Sequence, residues 1–184
     1  MEDEEKGVQV RGWDKGLDYE KTYRKLVRML RATREGAKRS RRKRRRLTCI
    51  SVLLIQLRNG CRVGEGIEAL RKFCESEERE VRVRIEKKKE PKYRLIVLPK
   101  EITKEDLRLI SDVVWEINRH NVKNFAYYHF KANTHSMRYA FVTYYAKRGI
   151  NPQLIAKIIG HSDLSYLLSY TQRVEAEDIL RRGA

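Results

Sequence analysis

Hydrophobic positions change period repeatedly along the chain, and each change predicts an element. Tyr23, Leu26, Val27 and Leu30 recur at helical spacing, which predicts a helix from Asp18 to Thr33, ended by Gly36. Leu47 to Leu57 is strongly apolar and predicts a buried helix, too short to cross a bilayer. Val81 to Ile85 alternates Val-Arg-Val-Arg-Ile, the pattern of a half-buried strand. Tyr93 to Leu98 reads as its partner, with a hairpin loop over Lys87–Lys92 and Pro91 at the bend. Thr103, with Asp106 as a variant capping box, predicts the start of a helix. Leu107, Ile110, Val113, Val114 and Ile117 are its stripe. Thr134 is placed to cap a helix carrying His135 and Arg138. Asn151-Pro152 predicts another start, with Ile150 and Ile155 as a staple and Gly160 as the end. A last helix is expected from Asp163 to Tyr170. The order of helices, a small hairpin and more helices makes the class mainly α with a small antiparallel β-hairpin or three-stranded sheet.

Composition narrows what such a fold does. The chain has 184 residues, 41% of them hydrophobic, enough for one real core. No apolar run approaches the length of about eighteen residues that a membrane span needs. The acidic start Met1-Glu2-Asp3-Glu4-Glu5 does not resemble a secretory signal. Cys49, Cys61 and Cys74 form no Cys-x-x-Cys pair and read as small buried residues of a protein in a reducing cytoplasm. The formal net charge of +17 points to a polyanion, nucleic acid first. From Lys38 to Arg46 every residue except Ser40 is Lys or Arg. Arg41, Arg42, Lys43, Arg44, Arg45 and Arg46 fit DNA-backbone contacts, or equally a solvated linker or helix start.

Four local signals carry candidate chemistry. Arg62 follows the buried helix in Asn59-Gly60-Cys61-Arg62-Val63-Gly64-Glu65, where a turn can offer a guanidinium to phosphate and Glu65 can orient it. His135 and Arg138 lie one helical turn apart. His161 follows Gly160 at a helix junction, and Tyr170 comes nine positions later. Each also suits a surface or core residue, and Ile150 to Tyr170 also suits a helix-turn-helix DNA reader. His120, His129, His135 and His161 lack a compact metal-ligand spacing, so no metal is expected.

Taken in order, Arg62, His135-Ser136-Met137-Arg138, Gly160-His161 and Tyr170-Thr171 resemble the catalytic signature of the tyrosine recombinases. The likeness runs over roughly residues 47–172 and suits an archaeal or viral member. It implies the recombinase catalytic-domain fold, with residues 1–46 as a flexible N-terminus, first helix and basic segment. Residues 47–172 are then the catalytic core, and residues 173–184 a tail that docks on a neighbouring protomer or frays. It implies Tyr170 as nucleophile, Arg62 and Arg138 on the phosphate, His135 and His161 assisting, and a hairpin lysine as acid. Counting back from Arg94–Leu98 favours Lys89, with Lys88 and Lys92 open. Tyr166, five positions after His161, is a weaker candidate nucleophile. The resemblance further implies cleavage and rejoining of double-stranded DNA through a 3′-phosphotyrosyl link, without cofactor, by a homotetramer on DNA that is a monomer in solution. Type IB topoisomerase-like relaxation and non-catalytic DNA binding are the rival readings. Residues 1–46 are too short and charged for the family's core-binding domain, so the chain reads as a catalytic fragment or a minimal member. Its expected location is the cytoplasm, on DNA and not at a membrane.

Overall fold

A computed structural model describes residues 17–86 and 90–160. Among these, helices dominate, and the one sheet is a two-stranded antiparallel hairpin. Helix α1 (Tyr19–Arg39) starts where Asp18 accepts the Lys21 N–H at 2.7 Å. It does not stop at Gly36. The buried stripe Leu26, Leu30, Thr33 continues to Ala37, one turn further, and the lost Cβ at Gly36 makes room for the Lys43 side chain. The break comes at Ser40, whose extended backbone and hydroxyl cap α2 (Arg41–Asn59).

Helix α2 is the centre of the molecule. Leu47 to Leu57 is buried on every side. Each fully buried Leu or Ile there contributes roughly 1.5–3 kcal/mol. Leu26, Leu30 and Ala37 of α1 belong to the same cluster. The start of α1 and the end of α2 meet at Tyr145, whose hydroxyl takes a bond from Arg58 and whose ring packs edge-on against Tyr19. Helix α3 (Val63–Ser76) follows after a turn through Gly60, Cys61 and Arg62.

Strands β1 (Glu80–Arg84) and β2 (Tyr93–Val97) pair with Val81 opposite Ile96 and Val83 opposite Arg94. The predicted alternation holds: Val81, Val83, Arg94 and Ile96 face inward. The Thr103–Asp106 capping box also forms as expected. However, α4 (Lys104–Ile110) ends early. Val113, Val114 and Ile117 are buried, but from a turn and a short 3₁₀ segment (Val114–Glu116) rather than a continued helix. The apolar stripe thus reported burial correctly and helix length incorrectly.

Helix α5 (Arg119–Phe130) had no sequence counterpart: it buries only Val122 and Ala126, so its periodicity is faint. Helix α6 (His135–Ala146) follows, and its cap is not the Thr134 side chain. Instead, Asn133 Oδ1 accepts the N–H groups of His135 and Ser136, at 2.7 and 3.1 Å. Helix α7 (Pro152–Ile159) starts and ends as predicted, with Asn151 capping, Pro152 at the first position and Gly160 at φ +68. Ile155 is buried there, while Ile150 remains exposed and adds little as a staple. A smaller cluster of Phe141, Val142, Ala146, Ile155, Ala156 and Ile159 joins α6 to α7. Cys49 and Cys61 are buried as expected, whereas Cys74 is only half-buried.

Candidate anion site at the α2–α3 turn

The site begins with a helix that must end abruptly. Asn59 closes α2 and bridges to β2: its Nδ2 donates to Val97 O at 2.9 Å, and its Oδ1 accepts the Val97 N–H at 2.9 Å. Gly60 then takes a left-handed conformation, φ +58, with Phe141 and Ile159 where a Cβ would stand. Gln56 donates to Cys61 O at 3.2 Å and to Thr134 O at 3.4 Å, tying this turn to the approach to α6.

Arg62 is the N-cap of α3, and Glu65 is its third residue. The Glu65 carboxylate is completely buried and accepts four bonds. These come from the Arg62 N–H at 3.0 Å, Arg62 Nη1 at 3.2 Å, the Glu86 N–H at 3.1 Å and Arg94 Nη1 at 3.3 Å. Arg62 Nη1 also donates to Glu86 O at 3.3 Å. Glu65 therefore orients Arg62 and fastens the base of the hairpin to α3. Arg94 completes the arrangement by donating its other nitrogen to Asn59 O.

Arg138 arrives from α6. Its Nη1 donates to Gly60 O at 2.9 Å, the side chain is only 5% exposed, and its Nη2 has no hydrogen-bond partner among the described residues. Burial and the adjacent Arg62 push the guanidinium down to about 10 from its usual value. Arg62, Arg94 and Arg138 thus gather around one carboxylate. Among the described residues, this positive excess and the unpartnered Nη2 are suited chemically to an anion with several acceptor oxygens.

Of the residues singled out in the sequence, Arg62, Glu65 and Arg138 come together here. His135 stands one turn before Arg138 as the exposed first residue of α6, its ring edge-on to Tyr139 at 5.4 Å. Lys88, Lys89, His161, Tyr166 and Tyr170 lie outside the described residues. The strands on either side of Lys89 do pair; the Ile85 N–H donates to Lys92 O at 2.7 Å, next to Glu86, whose carbonyl accepts from Arg62.

The basic block is partly committed within the fold. Arg41 and Arg45 both pair with Glu116, Arg44 pairs with Asp112 at 3.0 Å, and Arg46 lies over the Phe125 ring. Lys43 covers Gly36. Sequence reading missed Arg94. Its signal was available in the strand alternation, which puts Arg94 on the inward side with Ile96. Among the described residues no cluster of His, Cys, Asp or Glu could hold a metal ion. Nor is any described helix long and apolar enough to cross a membrane.

The chain is similar to the Methanocaldococcus jannaschii protein named "Uncharacterized protein MJ0770", at 33% identity over 92% of this chain and 87% of that protein. It is also similar to "Putative integrase ORF241" of Acidianus two-tailed virus, at 42% identity over 73% of this chain. The match spans only 56% of that viral protein's length. A third relative is "Putative integrase V10" of Sputnik virophage, 29% identical over 94% of this chain and 91% of its own. No family model matches the chain. No solved structure matches it either. Its likeness to the Methanocaldococcus jannaschii protein over nearly the whole of both chains makes it a member of that protein's family, and the two viral relatives it also resembles are named putative integrases.

Proposed function

We propose that this chain is a tyrosine recombinase that cuts and rejoins DNA through a 3′-phosphotyrosyl intermediate. Arg138 carries the reading: a buried guanidinium with a donor that has no partner among the described residues, beside Arg62, in a cluster where those residues supply too little negative charge. A phosphodiester supplies that charge and the acceptor oxygens. The names of the two viral relatives fit DNA as the substrate.

In the proposed reaction the Tyr170 oxygen attacks the phosphorus, and the bond to the 5′ oxygen breaks. A free tyrosine has a pKa of about 10, so its proton needs an acceptor at neutral pH, and His135 takes that role. Lys89 gives a proton to the departing 5′ oxygen. Arg62 and Arg138 stabilise the charge that builds on the non-bridging oxygens, and His161 donates to one of them. The phosphotyrosyl bond keeps the energy of the broken one, so a 5′ hydroxyl of another strand can reverse the step without ATP. Four protomers on two duplexes would complete the exchange. Arg39, Arg42, Lys43 and Arg46 are the members of the basic block for which no acidic partner is found among the described residues, and they suit DNA-backbone contact.

The test is covalent capture on a nicked suicide DNA. The native chain should give a protein–DNA adduct that survives denaturing electrophoresis, and Tyr170→Phe should give none. An adduct that persists in Tyr170→Phe but vanishes in Tyr166→Phe overturns the nucleophile assignment. Tight binding without any adduct overturns the enzyme reading in favour of a DNA-binding protein.

A further inference from the structure

Helix α5 plays no part in the reaction just described, yet it carries the most exposed aromatic pair among the described residues. It contains no Asp or Glu. Tyr127 and Tyr128 are 67% and 73% exposed, the most open of the large apolar side chains described. His120, Lys123 and Asn124 are exposed alongside them. Lys131 closes the helix with φ +52, a left-handed conformation that favours glycine. Its ammonium lies 5.7 Å from the centroids of both tyrosine rings. Strain kept at a residue that glycine would relieve points to a use for the side chain.

We propose that Tyr127, Tyr128 and Lys131 form a platform on which unpaired DNA bases stack beside the bound phosphate. The inference rests on the recombinase reading for the source of those bases: strands that change partners must unpair near the break. A paired base shows a protein only its edges, whereas an unpaired base exposes a π face, which a tyrosine can meet and a lysine can complement through the adjoining phosphate. The absence of acids on α5 suits a polyanion and disfavours a basic partner.

The helix is placed for this role at both ends. At its start, Arg119 bonds the Glu86 carboxylate at 2.7 Å, and the carbonyl of the same Glu86 accepts from Arg62. At its end, Lys131 precedes His135 by four residues, a reach of at most about 14 Å, or roughly four steps of a DNA strand. The mount is firm. Lys25 donates to His129 O at 2.6 Å, and the His129 ring packs on Phe125 and meets Tyr128 edge-on.

Fluorescence anisotropy with the full chain tests this, using labelled fifteen-nucleotide dT and a duplex of equal length at one ionic strength. Tyr127→Ala with Tyr128→Ala should weaken dT binding about tenfold and duplex binding less than twofold. The Phe pair keeps the rings and should keep native affinity. Lys131→Gly should weaken dT binding while leaving the melting temperature equal or higher, since glycine accepts the left-handed backbone. Equal loss on both DNAs, no loss on either, or loss in the Phe pair overturns the platform. If these results hold but no covalent adduct forms, the platform stands and the recombinase reading alone fails.

Discussion

Replacing Glu65 by Gln removes one charge and should loosen the whole site. The native carboxylate accepts from Arg62 twice, from the Glu86 N–H and from Arg94, with no exposure to water. A glutamine oxygen can accept about two of these bonds, and its amide nitrogen would face donors. Arg62, Arg94 and Arg138 would then stand together without a counter-charge. Breaking such a buried pair from one side costs about 3–5 kcal/mol. In a domain of this size each kcal/mol moves Tm by roughly 2–4 °C, so Glu65→Gln should lower Tm by about 6–20 °C. Thermal melts followed by circular dichroism measure this directly. Inorganic phosphate should recover more of the loss in the variant than it adds to the native chain, because it binds only the folded arrangement of arginines. Chloride at equal ionic strength is the control. A fall below about 3 °C with no phosphate-specific recovery would refute the claim that Glu65 holds the arginines together.

Arg138→Met should behave in the opposite way. It relieves a buried, half-paired charge but strands the Gly60 carbonyl, so denaturant-measured stability should change by less than about 1–2 kcal/mol, while the phosphate-induced rise in Tm disappears; a large loss of stability with phosphate binding intact would contradict the reading of Arg138. For His129, burial together with Arg46 and Lys25 holds the ring below the usual histidine value. The folded chain therefore binds that proton less tightly than the unfolded chain, and stability is lost as pH falls through about 6.5. His129→Gln should flatten the decline of Tm between pH 7 and pH 5, and an unchanged slope would show that other groups control it.

Period and punctuation made much of the fold legible. The hairpin followed from strict alternation at 81–85, and α7 from Asn151, Pro152 and Gly160, where local chemistry and tertiary packing agree. The misses arose where packing overrode local preference. Gly36 looked like a stop, but Lys43 fills the space beside it and Ala37 extends the buried face. Helix α5 was invisible because only Val122 and Ala126 are fully buried, while Phe125 and Phe130 are only partly covered against the core. At Thr134 the capping oxygen came from the preceding Asn133, a choice that depends on the conformation of the chain entering α6.

The site was legible as residues but not as an electrostatic arrangement. Spacing identified Arg62, Glu65 and Arg138, yet nothing in the sequence order says that Arg94 reaches the same carboxylate from a strand. That addition changes the physics. Arg62 and Glu65 alone would make a balanced pair in a helix cap, which is a stable arrangement with little appetite for a ligand. With Arg94 and Arg138 present, one carboxylate bonds two guanidiniums and stands near a third; Arg94 also spends a nitrogen on Asn59 O, while Arg138 Nη2 has no partner among the described residues. The basic block differs in kind: Arg41, Arg44 and Arg45 find carboxylates on the segment after α4 and serve the fold. Part of the dense positive charge in the sequence therefore marked a brace within the fold. The deficit of negative charge among the described residues, which appears only once a strand, a turn and α6 meet, is what the proposed phosphate would offset.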